Sequence, residues 1–464
     1  MKKCLIVLIA LFSCSKEISS VDNSENETVV SPKFSVQSTE TNIITPNIPD
    51  IRYLVPTISD VTGYTHYSST VNENYMLFFG NVWDEFSYND ISQVEPAPSI
   101  VLLKKENVWI FHKVYYESKL WTARTFKILN NHITVGDGNE IGSDFREWKG
   151  DIWTAKILTN GDLEWRIVTS DENRGFWHGV SSGDLNGDGL QDVVGTPGIN
   201  HDGTNIFIQN SNGDFFRDDS LIDFEGNHPF CIDIHDVTGD GINEIIWADY
   251  GGGTVTNDDD HEIRVYKFDN STQKFELFFK DNNPDFYNWG LGGTSIICKD
   301  LNDDNYDDIV VAREDGVGNE SKRGFEVWLN NGDGSFKPKF SKQFSYENLS
   351  FQEFKIFDAN NDGFEDILLN GYGFGKDFRI FAQEWNIEGS KGVKLNKLIW
   401  LNNGDGTFKN YELNDIVFEG PTPFFLHPYL DNGILHFFGI FQKNEFVNDG
   451  LKAYTYDFKI DIRN

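Results

Sequence analysis

Methionine and cysteine are scarce, at two and four in 464 residues. Cys4 and Cys14 stand at the very N-terminus, so only Cys231 and Cys298 remain for the rest of the chain. That number excludes a disulfide-dense scaffold. Cys231 lies five residues before Asp236 and Cys298 two before Asp300, so on strands the two side chains face opposite ways. Both are expected to be buried free thiols. Positive charge is also short: 39 Lys and Arg stand against 73 Asp and Glu, a net charge of −34. Such a surface repels nucleic acid and anionic lipid and has no basic stripe, so no nucleic-acid partner is expected. Helix signals are nearly missing, and no apolar run is long enough for a permanent membrane span. No H-x-H or H-E-x-x-H spacing supports a zinc site, and no serine-nucleophile elbow is expected.

What is abundant is oxygen, in four short loops. "DLNGDGLQD" (184–192) sets acidic or amide side chains at its first, third, fifth and ninth positions, with glycine at the sixth. Carboxylates this close repel by roughly 1 to 4 kcal/mol per pair at ~4 Å. A Ca²⁺ ion, which takes six to eight oxygens, would offset that. The expected ligands are the side chains of Asp184, Asn186, Asp188 and Asp192 and the carbonyl of Leu190. "DVTGDGINE" offers Asp236, Thr238, Asp240, Ile242 and Glu244 in the same order. "DLNDDNYDD" offers Asp300, Asn302, Asp304, Tyr306 and Asp308, and "DANNDGFED" offers Asp358, Asn360, Asp362, Phe364 and Asp366. Gly189, Gly241 and Gly363 fit a left-handed sixth position, and Asn305 is the best non-glycine substitute. Polar turns capped by their own side chains would explain one such loop, but not four with one ligand order. About four structural calcium ions are expected.

An EF-hand needs flanking helices and a Glu at position twelve. Here that position holds Gly195, Trp247, Val311 and Leu369, and the following runs are short, aliphatic and β-branched. The loops begin at 184, 236, 300 and 358, steps of 52, 64 and 58 residues, which marks an internal repeat. Each repeat also holds a downstream hairpin: "NIFIQNSNGDFFR", "IRVYKFDNSTQKFELF", "FEVWLNNGDGSFK" and "LIWLNNGDGTFK". Four strands per repeat, with the acidic loop between strands one and two, predict an all-β propeller.

These loops and "LNNGDG(S/T)F" hairpins resemble the FG-GAP/VCBS repeat proteins, whose propeller is like the head of integrin α chains. The resemblance covers about 170–410 and implies a fold and a metal rather than an activity. Degenerate blades are expected at 125–165, at 101–114 with the loop-like "ISDVTGYTHYS" (58–68), and at 429–460. The count is then seven, with six or eight left open, and "KFSVQST" (33–39) is a candidate outer strand for the last blade.

The first thirteen residues read as a lipoprotein signal peptide, with Lys2, Lys3 and the apolar "CLIVLIALF". "LFSC" resembles a bacterial lipobox, which implies lipidation of Cys14. Residues 14–33 read as a disordered tether, and 34–464 as the propeller. The expected place is the bacterial cell envelope, on the outer membrane or cell surface. The membrane contact would be the lipid anchor alone.

Loops leaving the propeller face opposite the acidic loops gather Trp177, His178, His201, His228, Tyr250, His261, Tyr287, Trp289, Arg313, Tyr372 and Trp385. Aromatic faces beside carboxylates and amides suit carbohydrate. Three functions compete: a lipid-anchored binder of an extracytoplasmic glycan or protein, a polysaccharide lyase or hydrolase on the same face, and a structural or assembly lipoprotein. The binder is preferred and an enzyme is the less favoured reading. With ~mM Ca²⁺ and a Kd of ~0.1 mM, each site would add about 1.4 kcal/mol. EDTA is therefore expected to lower the melting temperature by many degrees in a thermal melt, and an unchanged melt would overturn the calcium assignment.

Overall fold

The computed structural model describes residues 42–44, 65–71, 74–82, 97–105, 108–121, 123–129, 131–139, 149–197, 204–222, 229–249, 262–283, 292–314, 322–345, 349–350, 354–369, 371–373, 392–393, 398–411, 416–418, 425–443, 452–460 and 462. The leader, Cys14, the tether and the segment 33–39 lie outside them. Among the described residues no helix is long and apolar enough to cross a membrane.

The strands fall into successive antiparallel sheets of four, as expected for propeller blades. Blade 1 is Thr65–Val71, Tyr75–Val82, Ala97–Lys105 and Val108–Leu120. Blade 2 is Ala123–Leu129, His132–Asp137, Ile152–Ile157 and Leu163–Ile167. Blade 3 is Gly179–Gly183, Asp192–Thr196, Asn205–Gln209 and Phe215–Arg217. Blade 4 is Pro229–His235, Glu244–Asp249, Glu262–Asp269 and Lys274–Asn282. Blade 5 is Gly292–Lys299, Asp308–Glu314, Lys322–Asn330 and Phe336–Ser345, and blade 6 is Phe354–Phe357, Asp366–Leu369, Ile399–Asn402 and Phe408–Tyr411. Blade 7 has three long strands, Phe425–Asp431, Ile434–Lys443 and Lys452–Ile460, with Gly371–Gly373 and then Leu349–Ser350 added beside Phe425–Leu426. A small separate sheet joins Asn42–Ile44, Ile416–Phe418 and Gly392–Val393. The fold is thus a seven-bladed β-propeller.

The apolar second strands explain how the blades stack. Side chains alternate between the two faces of a strand, and here both faces are covered. Val193 joins the apolar cluster shared with blade 2, while its neighbour Val194 joins the cluster shared with blade 4. Ile245 and Ile246 divide in the same way between blades 3 and 5, as do Ile309 and Val310 between blades 4 and 6. A strand buried on both sides reads as a continuous apolar run, which is why "VV", "II", "IVV" and "ILL" follow each acidic loop. The last such cluster carries Leu435, Phe437 and Ile462 of the closing blade. Lys104 of blade 1 pairs with Asp431 of blade 7 and bridges the two ends of the ring.

First strands face the axis, and one side chain reaches across it. Lys127 of blade 2 donates to the Ile232 carbonyl at 2.6 Å and to Asp233 Oδ1 at 2.8 Å on blade 4, and to the Ile296 carbonyl on blade 5 at 3.3 Å. Asp233 also accepts from Ser181 Oγ and the Cys298 amide. Cys231 and Cys298 are buried and neither forms a disulfide, as expected.

One sequence expectation shifts. Thr65–Ser68, read as part of the loop-like stretch 58–68, lie within the first strand of blade 1, and the second strand begins at Tyr75. The letters that echo a ligand loop therefore precede the strand, and 58–64 lie outside the described residues.

Adjacent blades are also tied by asparagines. Asn330 Nδ2 of blade 5 donates to the Val237 carbonyl of blade 4 at 2.7 Å, and Asn402 Nδ2 of blade 6 donates to the Leu301 carbonyl of blade 5 at 2.7 Å. Asn330→Ala would leave a buried carbonyl without its donor. It is expected to cost about 1–3 kcal/mol in urea unfolding, and a loss within experimental error would contradict the role given to this contact.

Candidate functional site

Each of the four acidic loops joins the first and second strands of a central blade, and their backbones are alike. The sixth position is left-handed throughout: φ is +81° at Gly189, +86° at Gly241, +69° at Asn305 and +95° at Gly363. The fourth position is left-handed as well, at Gly187, Gly239, Asp303 and Asn361, a feature the sequence reading missed. This double turn aims amides inward. The Asp184 carboxylate accepts from Gly187 N at 2.7 Å and Gly189 N at 2.8 Å, and Asp236 accepts from Gly239 N and Gly241 N at the same distances. Asp300 and Asp358 accept from their sixth-position amides at 2.9 Å.

The ninth residue opens strand two and is fully buried: Asp192, Glu244, Asp308 and Asp366 are each 0 % exposed. In blades 3, 5 and 6 its two oxygens take one amide from the loop and one from strand three. Asp192 holds Leu185 N at 3.0 Å and Gln209 N at 2.9 Å. Asp308 holds Leu301 N at 3.0 Å and Asn330 N at 2.9 Å, and Asp366 holds Ala359 N at 3.0 Å and Asn402 N at 2.8 Å. Burial, reinforced by the other loop carboxylates, pushes Asp192 up to about 6 and Asp308 and Asp366 up to about 7. Two amides do not offset the cost of keeping each anion out of water.

Blades 3, 5 and 6 thus each bring three carboxylates and one side-chain amide to a single turn, and an ionised carboxylate keeps lone pairs beyond those the amides use. Among the described residues none of these nine carboxylates pairs with lysine or arginine. The donor set is all oxygen, and it fits a hard cation of the calcium type.

Blade 4 differs in three places at once. Its third ligand position is Thr238, its ninth is Glu244, and the strand-three residue beside the ninth is Lys267 where the register puts Ile208, Leu329 and Leu401 in the other blades. Glu244 spends one oxygen on Thr238 Oγ1 at 3.0 Å instead of on a strand-three amide. Lys267 Nζ donates to Thr238 Oγ1 at 2.6 Å and lies 2.8 Å from Asp240 Oδ2 and 3.8 Å from Glu244 Oε1. Among the described residues Asp236, Asp240 and Glu244 form the group of three carboxylates whose oxygens converge within 4.8 Å. They converge beside an ammonium group.

The rim residues fare differently from expectation. Trp177 is buried, with its Nε1 on the Gly150 carbonyl at 3.0 Å and its ring against Phe207. His178 is buried between Phe176 and Phe230, at ring distances of 4.1 and 3.9 Å. Arg313 is fully buried and ion-paired with Glu326. These three belong to the packing within and between blades: the two rings lie against other aromatic rings, and the buried guanidinium is kept by its carboxylate partner. Tyr372 sits in a short strand whose backbone pairs with Phe425. His201, His228, Tyr250, His261, Tyr287, Trp289 and Trp385 lie outside the described residues.

Gly179–Gly183 spells G-x-S-x-G, a spacing expected to be absent from the sequence. A nucleophile elbow is a strand-to-helix turn. Here all five residues form one buried strand, and Ser181 Oγ meets Asp233 Oδ1 at 3.2 Å.

Repeats with this architecture define a class of propeller, and a comparison with known families agrees. The FG-GAP-like repeat family matches residues 300–369. That span opens on the acidic loop of blade 5 and ends on the second strand of blade 6, so it takes in two of the four loops. No curated protein matches the chain. The chain is a seven-bladed propeller with an FG-GAP-like repeat, an architecture suited to a binding or structural role.

Because Arg313 and Glu326 are a buried pair, Arg313→Ala is expected to destabilise the fold by about 3–5 kcal/mol in urea unfolding. A variant with unchanged stability would return Arg313 to the candidates for ligand contact.

Proposed function

We propose that the chain is a calcium-stabilised, lipid-anchored binding protein of the cell envelope, which takes a glycan or a protein through the loops opposite its acidic turns. The observation that carries this reading is the nine carboxylates of blades 3, 5 and 6, gathered at one end of their blades with no lysine or arginine paired to them among the described residues. A cation there would fix the three turns and leave that end structural. Recognition then falls to the other end of the same blades, where strands two and three are joined by the residues between Pro197 and Thr204, Asp249 and Glu262, Glu314 and Lys322, and Leu369 and Leu398. The connections of blades 4 and 6 are long, and together the four carry His201, Tyr250, His261, Tyr372 and Trp385 with many amides and carboxylates. Aromatic faces beside such groups stack on the apolar faces of sugars while hydrogen bonds fix the hydroxyls. The lyase alternative loses Arg313 as a free cation to neutralise a uronate, since that side chain is committed to Glu326.

The test is a panel of acidic and neutral polysaccharides incubated with the calcium-loaded protein. Retarded migration in an affinity gel with one glycan, without new reducing ends or unsaturated products, is the expected result. Turnover would replace the binder with an enzyme. No turnover and no retention would remove glycan as the ligand and direct the search to a protein.

A further inference from the structure

We propose that the blade 4 loop carries its own cation, the Lys267 ammonium, and that the chain holds three calcium ions rather than four. The inference rests on the calcium reading of blades 3, 5 and 6 and asks how far that reading extends. The four loops share their turns and their first and fifth ligand residues, so sequence pattern alone treats them as equals. Side chains separate them. Lys267 Nζ reaches the third position (Thr238 Oγ1, 2.6 Å), the fifth (Asp240 Oδ2, 2.8 Å) and the ninth (Glu244 Oε1, 3.8 Å). Those are three of the five positions assigned to the ion. Calcium needs its oxygens at about 2.3–2.6 Å around one centre, and an ammonium bonded to two of these oxygens and close to the third takes that space and repels a dication.

The departures in this blade support one another. Glu244 is one methylene longer than its aspartate counterparts, and it turns to Thr238 and toward Lys267 rather than to a strand-three amide. Thr238 offers a hydroxyl that accepts from the lysine, where blades 3, 5 and 6 have Asn186, Asn302 and Asn360. Phe268 stands where blades 5 and 6 have the loop-anchoring Asn330 and Asn402. The ammonium also lies over the Phe278 ring, 5.6 Å from its centre. A lysine on strand three needs no free ion, so this turn is built to stay formed when calcium is withdrawn.

The experiment counts ions. Purified protein is loaded with calcium, freed of unbound ion by gel filtration and assayed by elemental analysis, as wild type and as D240N, D304N and T238N/E244D/K267L. The expected counts are three for wild type, three for D240N, two for D304N and four for the triple variant, which restores the ligand order of blades 5 and 6. Four ions in wild type with three in D240N would overturn the inference and leave the calcium reading standing. A triple variant that stays at three would overturn the claim that these residues exclude the ion. No ion in any form would remove the calcium reading itself, and this inference with it. Should D240N fold poorly, the wild type and the triple variant still decide.

Discussion

A carboxylate with no exposed surface opens the second strand of each central blade, and much of the structure follows from it. Asp192, Asp308 and Asp366 hold the loop by one oxygen and strand three by the other. They therefore fix where the turn ends and how the third strand registers on the second. A buried anion is costly unless it is paired, and two more carboxylates in each turn raise that cost. The chain has tied its blade geometry to a charge that needs an answer. Blade 4 sets the Lys267 ammonium beside that charge, and for the other three blades, where no lysine or arginine among the described residues pairs with the loop carboxylates, we propose an ion from solution.

The acidic turns are also linked to one another. Asn243 Nδ2 donates to the Asp184 carbonyl at 2.7 Å, and Asn330 and Asn402 reach back to Val237 and Leu301. Each contact joins the turn of one blade to the next blade along, from blade 3 to blade 6. His235 and Asp307 add an ion pair between blades 4 and 5. Order imposed on one turn is thus passed to its neighbour through backbone carbonyls. Lys127, Asp233 and the Ile296 carbonyl make a separate tie across the axis. A propeller of small sheets has no single core, so such ties between blades do what a continuous core does in other folds.

Much of this was legible in the sequence because it is local and repeated. The loops at 184, 236, 300 and 358 and the hairpins after them gave away the strand order of the four central blades and the left-handed sixth position, including Asn305, while the count of seven leaned on degenerate segments and left six or eight open. The degenerate blades were less legible: without a full set of acidic ligands to set the register, Thr65–Ser68 read as part of a loop-like stretch and proved to be strand. Side-chain partners far apart in the chain could not be read at all. Lys127 meets Asp233 across 106 residues, and nothing in its neighbourhood points there. Trp177, His178 and Arg313 looked like rim residues because strand-end position was known and packing was not. Lys267 did carry a signal. It breaks the aliphatic pattern of Ile208, Leu329 and Leu401 in the same repeat that changes Asn to Thr and Asp to Glu, but only the fold shows that the three changes meet.

The central claim is that a hard cation completes the turns of blades 3, 5 and 6. It is tested most directly by diffraction from crystals grown in calcium, recorded at a wavelength where calcium scatters anomalously. The account predicts three anomalous peaks, one each among the side chains of Asp184–Asp192, Asp300–Asp308 and Asp358–Asp366, and none beside Lys267. Turns of blades 3, 5 and 6 without peaks, their carboxylates held by water or protein groups alone, would contradict it.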